Sequence, residues 1–172
     1  MSKPRMAVAG LMLSAMAFIG LVSHEGFTDS AVIPTKNDRP TVGYGSTFWE
    51  DGKPVQMGQK VTPVRALRVA QVHITKEEVI FRNSMPGVQL SQVEYDTYMD
   101  WVYQYGTGAW SGSSMRTKLL RADYAGACGA LLAYKFSGGY DCSTLVNGRP
   151  NQRCWGVWER QQARYKTCMG AQ

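Results

Sequence analysis

Residues 24–47 read HEGFTDSAVIPTKNDRPTVGYGST. Glu25 ends an uncharged, small-residue-rich stretch and opens a polar one punctuated by Pro34 and Pro40. Sixteen positions later comes Thr41-Val42-Gly43-Tyr44-Gly45, in which two glycines flank one aromatic residue. That run reads as a tight β-turn, because glycine supplies the positive φ that other residues avoid. A phosphate loop is the competing reading. It lacks both the GxGxxG spacing and a downstream Lys-Ser pair.

Working upstream, Lys3 and Arg5 precede Met6–Val22, a run of 17 residues without a charge. Basic residues before an apolar run orient a cytoplasmic N-terminus. The length sits at the short limit of a spanning helix, and Ala7, Ala9, Gly10, Ser14, Ala15, Ala17 and Gly20 dilute its hydrophobicity. Three readings stand side by side. One is a cleaved signal peptide, with Ser14-Ala15-Met16-Ala17 as the small-x-small site. The second is a permanent anchor. The third, which we favour, is an anchor that can leave the bilayer. Cleavage after Ala17 would leave only Phe18–His24 ahead of Glu25, too little to build a helix behind it. With Leu13–His24 helical, Glu25 lies at the negative end of the helix dipole, which favours a protonated carboxyl and suits a general acid. An ordinary solvated glutamate is the bland alternative.

Working downstream, Thr28-Asp29-Ser30 and residues 34–40 read as loop. Thr41–Tyr44 and Thr47–Trp49 read as short strands, Glu50-Asp51-Gly52-Lys53 as a hairpin turn, and Val55–Val61 as the last strand of a small meander. Helices follow. Thr62-Pro63 is an N-cap with proline at the first helical position, opening a helix toward Phe81. Ser91-Gln92-Val93-Glu94 is a capping box. It opens an aromatic-rich helix that Gly106 and Gly108 should end. Met115–Arg121, Tyr124–Tyr134 and Gly156–Met169 are further helices, with a long loop marked by Gly138-Gly139, Asn147-Gly148 and Pro150. The fold class is α+β: a small β-lobe, then a larger helical lobe. Residues 1–23 form the N-terminal segment and 24–172 the main domain.

The 172 residues carry a net charge of +6, or +4 without Lys3 and Arg5. That modest excess fits an acidic polymer better than sequence-specific DNA, so no nucleic-acid partner is expected. Cys128, Cys142, Cys154 and Cys168 show no CxxC, and His24 and His73 lie far upstream. Two disulfides in an oxidising compartment fit better than a zinc site. Nesting suggests Cys128–Cys168 and Cys142–Cys154, although four cysteines allow three connectivities. Ser113 and Ser114 have no histidine partner in a triad-like order, which speaks against a serine hydrolase.

The stretch 24–47 resembles the catalytic region of the phage-type lysozymes, glycoside hydrolase family 24, to which the T4 and P21 endolysins belong. Glu25-Gly26 matches the family's acid element, and Thr41, Gly43 and Gly45 match its Thr-(Val/Ile)-Gly-x-Gly run. The similarity extends to Leu90–Asp96, Tyr105–Trp110, Asp123–Ala127 and Gly156–Arg160. It implies a lysozyme-like fold, hydrolysis of the β-1,4 bond between N-acetylmuramic acid and N-acetylglucosamine in peptidoglycan, and no metal or cofactor. It also implies a Glu–Asp–Thr catalytic set, but the 15 residues between Glu25 and Thr41 are one too many for the family's pattern. Counting from Glu25, the aspartate column falls on Pro34; counting back from Thr41, it falls on Thr35.

Cleaving a glycosidic bond needs an acid for the leaving oxygen and a second group to position water or stabilise the cation. We assign Glu25 as acid, with Asp38 and Thr41 orienting water. Asp38 ranks above Thr35 and Asp29 as substitute for the displaced aspartate. Thr35, Tyr44 and Trp110 are the candidate substrate contacts. Trp101 and Tyr103 are further stacking candidates, although aromatics at helical spacing are more often core. The N-terminus resembles the signal-anchor-release element of P21-type endolysins. That implies export by the host secretory pathway, tethering to the inner membrane through residues 6–22, and release of a periplasmic monomer. A catalytically inactive peptidoglycan-binding protein on the same scaffold is the alternative, supported by the missing aspartate.

Overall fold

The computed structural model describes residues 3–36 and 38–172. In chain order its elements are β1 (Met6–Ala7), α1 (Ala15–Glu25), β2 (Thr28–Val32), β3 (Thr41–Gly43), α2 (Pro63–Asn83), β4 (Gln89–Leu90) and α3 (Gln92–Ser111). There follow α4 (Ser114–Leu119), α5 (Tyr124–Ala130), β5 (Phe136–Ser137), β6 (Tyr140–Asp141), β7 (Leu145–Val146), β8 (Arg149–Pro150) and α6 (Trp155–Met169). The architecture is α+β, as the sequence indicates, and divides into two units: Met12–Ile80, and residues 3–11 with Phe81–Gln172.

In the Met12–Ile80 unit, Ser14 caps α1 by accepting the Ala17 N–H at 3.1 Å. The helix starts two residues later than expected and takes in Glu25 as its last residue. Leu21 and Val22 are buried while Met12, Met16 and Ile19 are exposed. Among the described residues no helix is long and apolar enough to cross a membrane. Strands β2 and β3 pair antiparallel, with Thr28 opposite Gly43 and Val32 opposite Thr41 and a register shift between. The loop expected at Thr28–Ser30 is thus a strand. The expected strands Thr47–Trp49 and Val55–Val61 reduce to single bridges, Phe48 to Pro54 and Ser30 to Lys60. Pro54 lacks a donor, and Gln59 Oε1 takes the Gln56 N–H at 2.9 Å, so local bonds replace a ladder. The Asp51-Gly52 turn does form, with Gly52 at φ +83° and the Trp49 N–H bound to the Lys53 carbonyl at 2.8 Å. The unit's core gathers Ala31, Val42, Trp49, Val55, Val61, Ala66 and Val69.

In the other unit, β1 pairs antiparallel with β4, Met6 opposite Leu90. The capping box forms: Ser91 Oγ accepts the Glu94 N–H, and Glu94 Oε2 accepts the Ser91 N–H at 2.8 Å. Gly106, expected to end α3, instead kinks it at φ +83°, and the helix resumes to Ser111. Burial accounts for the resumption. Trp110 packs against Phe81, Tyr98 and Trp101, which places a large apolar surface in the core. Both nested disulfides form, Cys128–Cys168 and Cys142–Cys154. The expected long loop is two hairpins, β5–β6 and β7–β8, turning at Gly138-Gly139 and Asn147-Gly148. All four turn residues have positive φ, the geometry that two-residue hairpins favour.

Candidate active site

The candidate site begins where α1 ends. Gly26, at φ +70°, turns the chain out of the helix and into β2, leaving Glu25 exposed at the helix terminus. The Thr41–Gly45 run then passes the carboxylate. Val42 and Ser46 exchange both backbone hydrogen bonds at 3.0 Å, closing a loop of Gly43, Tyr44 and Gly45. Each glycine has a separate reason. Gly43 lies at φ +66°, and a Cβ there would stand 2.7 Å from the Ala66 Cβ, so only glycine lets the loop sit against α2. Gly45 lies at φ +77°, with a Cβ position 3.8 Å from Glu25 Oε2, so the loop backbone borders the candidate acid. Tyr44, between them, is half-buried and packs on Phe27 with ring centroids 5.5 Å apart.

The β2–β3 connection carries Asp38, the second candidate group. Thr35 Oγ1 donates to Asp38 Oδ2 at 2.5 Å, and the Asp38 N–H donates to the Thr35 carbonyl at 3.0 Å. Asp38 and Thr41 line one open cavity of about 480 Å³, together with Pro34, Arg39 and Thr47. Thr41 Oγ1 lies 3.4 Å from the Val32 carbonyl, a long contact that ties the hydroxyl to the opposite strand. Two of the three expected catalytic residues thus share a cavity, with Thr35 one hydrogen bond behind them. Glu25 borders Gly45 a few residues along the same hairpin. Asp29 takes a different role, accepting a hydrogen bond from the adjacent Ser30 hydroxyl at 2.9 Å.

Other expected positions resolve as structural. Trp110 is corrected from a sugar contact to a core residue: it is 0% exposed, and its Nε1–H donates to Ser84 Oγ at 3.0 Å. Trp101 is equally buried. His73 Nε2 lies 3.0 Å from the Phe48 carbonyl, which anchors α2 to the bridge at Phe48. Sequence reasoning missed Arg39 and Thr47 as cavity residues. The Asp38-Arg39 dipeptide placed a cation next to the chosen carboxylate; Thr47 stands in no motif. Among the described residues, no group of three or more His, Cys, Asp or Glu side chains is placed to hold a metal ion.

Residues 22–152 match the phage lysozyme family model. The endolysin of Salmonella phage P22 is 28% identical over 114 residues, covering 66% of this chain and 77% of that protein. Among solved structures, an endolysin from Escherichia coli O157:H7 phage FAHEc1 aligns at a TM-score of 0.74 with 21% identity, over 95% of this chain and 96% of its own. The muramidase domain of SpmX from Asticaccaulis excentricus aligns at 0.72 with 18% identity, over 92% and 97% of the two chains.

Proposed function

Because the chain belongs to the phage lysozyme family, we propose that it is an endolysin cleaving the β-1,4 bond between N-acetylmuramic acid and N-acetylglucosamine in peptidoglycan. Glu25 gives its proton to the glycosidic oxygen as the bond from the anomeric carbon breaks. A water held by Asp38 and Thr41 adds to that carbon, and its proton passes to the Asp38 carboxylate. Thr35 is a positioning residue, since its hydroxyl holds Asp38. The observation that carries the assignment is the single cavity shared by Asp38 and Thr41, in the connection that leads from Glu25 to the Thr41–Gly45 loop. The test is clearance of purified peptidoglycan. Wild type should clear it and Glu25→Gln, with an unchanged circular dichroism spectrum, should not. A folded wild type that binds murein without releasing reducing ends would refute catalysis and leave a binding protein.

The N-terminal segment enters the same proposal as part of the mature enzyme. After export it tethers the chain to the inner membrane through residues 6–22, and on release it folds with the rest as a periplasmic monomer. Burial of Val8, Leu11, Leu21 and Val22 supports this, as does the binding of Arg5 to Glu94. A signal peptide cleaved after Ala17 would remove Arg5, Val8 and Leu11 and shorten α1 at its start. Mass spectrometry of the soluble periplasmic form decides between them: the segment is retained if the species includes residues 3–22, and the release reading fails if it starts near Phe18.

A further inference from the structure

The two hairpins between α5 and α6 carry a second cavity, of about 490 Å³, which the proposed chemistry does not use. Its walls combine three kinds of group. Arg149 and Arg153 are cationic, Asn147 and Gln152 bring amides, and Val146 and Pro150 bring apolar surface. Among the described residues, the Arg149 side chain has no hydrogen-bond or ion-pair partner. Arg153 stacks on the Tyr140 ring at 4.5 Å, which holds its plane while leaving its N–H edge available. Residues 135–153 carry a net charge of +2, and their one acid is already spoken for: Lys135 pairs with Asp141 at 2.8 Å. The excess positive charge therefore belongs to the two arginines at the cavity.

The site is held before any ligand arrives. The Cys142–Cys154 disulfide closes the segment, and the Asn151 N–H donates to the Thr144 carbonyl at 3.2 Å across it. Asn147-Gly148, both at positive φ, forms the tight turn that sets Arg149 at the start of β8. A stapled surface loses little entropy on binding. Guanidinium groups match planar carboxylates with paired hydrogen bonds, and side-chain amides match peptide groups. Such a wall suits a short peptide that carries carboxylates and small aliphatic side chains. The uncharged sugars of a glycan strand offer neutral acceptors but no carboxylate to pair with two arginines.

We propose that this cavity binds the carboxylate-bearing peptide stems of peptidoglycan, with Arg149 as the carboxylate ligand. The proposal rests on the peptidoglycan reading above and adds a peptide subsite carried by the second unit.

The test uses the full chain and two substrates: intact sacculi, and sacculi stripped of stems by an amidase that cuts the lactyl–peptide bond, with the lactyl carboxylates so exposed then capped as methylamides. Arg149→Ala should raise KM on intact sacculi about tenfold with kcat unchanged, as expected for losing a charge-assisted hydrogen bond. Arg149→Lys should recover part of that, and on stripped glycan the variants should match wild type. Independently, a free stem tetrapeptide should shift the amide NMR signals of residues 145–153 in wild type and not in Arg149→Ala. An unchanged KM on intact sacculi, or an equal loss on both substrates, overturns the proposal. So does equal displacement of the tetrapeptide by millimolar inorganic phosphate, which would mark a generic anion site. If wild type cleaves neither substrate, the glycosidase reading fails, while the NMR measurement still judges the peptide site.

Discussion

Removing the Arg5 guanidinium should cost the fold about 3 kcal/mol. Glu94, which closes the α3 capping box, has no side-chain exposure, whereas the Arg5 side chain is 23% exposed. Arg5 Nε and Nη2 hold both carboxylate oxygens at 2.8–3.2 Å, and the same guanidinium lies 3.8 Å over the Tyr124 ring. Breaking a buried ion pair by deleting one partner costs about 3–5 kcal/mol, chiefly through the charge left behind. The lower end applies here. The Ser91 N–H at 2.8 Å and Gln172 Nε2 at 2.9 Å still serve the carboxylate, and water reaches the Arg5 side. Urea denaturation of Arg5→Ala against wild type at pH 7 measures the loss. A double-mutant cycle with Glu94→Gln isolates the pair, since glutamine keeps the capping geometry without the charge.

The pH dependence supplies an independent check. Burial pushes the Glu94 carboxyl up, but Arg5, the Ser91 N–H and Gln172 together hold it below the ordinary glutamate value. A carboxyl lowered on folding stabilises the native state above its unfolded value, and that contribution is lost as pH falls through the folded one. The gap between wild type and Arg5→Ala should therefore be full at neutral pH and narrow in acid. A variant within about 0.5 kcal/mol of wild type at pH 7, the usual range of neutral surface substitutions, would refute the reasoning. A gap that stays constant into acid would do the same. Because Arg5 precedes the apolar run, a chain shortened to Phe18–Gln172 should lose at least as much stability.

Gly43→Ala should destabilise by about 2–4 kcal/mol, combining a positive φ with overlap on Ala66. Adding Ala66→Gly should relieve the overlap alone, so thermal melts of the pair should show less loss than the two singles summed. Asp38→Asn should lower kcat on peptidoglycan about a hundredfold or more, as for a lost general base. Thr35→Ala should lower it less, because the carboxylate remains; equal activity of all three proteins would remove Asp38 from the mechanism. Removing Cys128–Cys168, which spans 40 residues, should cost about 4 kcal/mol through the loop closed in the unfolded chain. The urea midpoint of a Cys128→Ala/Cys168→Ala variant against wild type, with Cys142–Cys154 left closed, reads this out.

The fold was legible wherever the signal was local. Ser91 and Glu94 specify a capping box within four residues, and Thr62 caps α2 by accepting the Arg65 N–H at 3.4 Å. What was not legible depended on partners far along the chain. Thr28–Val32 shows no strand pattern of its own. It becomes a strand because Ala31 and Val42 enter one core, and because the Ala31 N–H donates to the Gln59 carbonyl and the Val61 N–H to the Asp29 carbonyl. Gly106 read as a terminator on propensity alone. The burial of Trp110 beyond it outweighs the roughly 1 kcal/mol that glycine costs a helix.

The candidate site divides along the same line. Glu25 and Thr41 stand out as candidates because each sits at a boundary that short-range chemistry defines: a helix end before a glycine, and a strand entering a two-glycine loop. A partner carboxylate is harder to assign because counting columns fixes a position along the chain and says nothing about where a turn sends the side chain. Neither count lands on Asp38, yet the backbone bond from Asp38 to Thr35 folds the connection back on itself. The carboxylate lines one cavity with Pro34, where the first count lands, and Thr41, from which the second count starts. On the proposed assignment, the extra residue in the connection shifts the water-orienting carboxylate from the counted positions to Asp38, and the hydroxyl at one of those positions, Thr35, holds it.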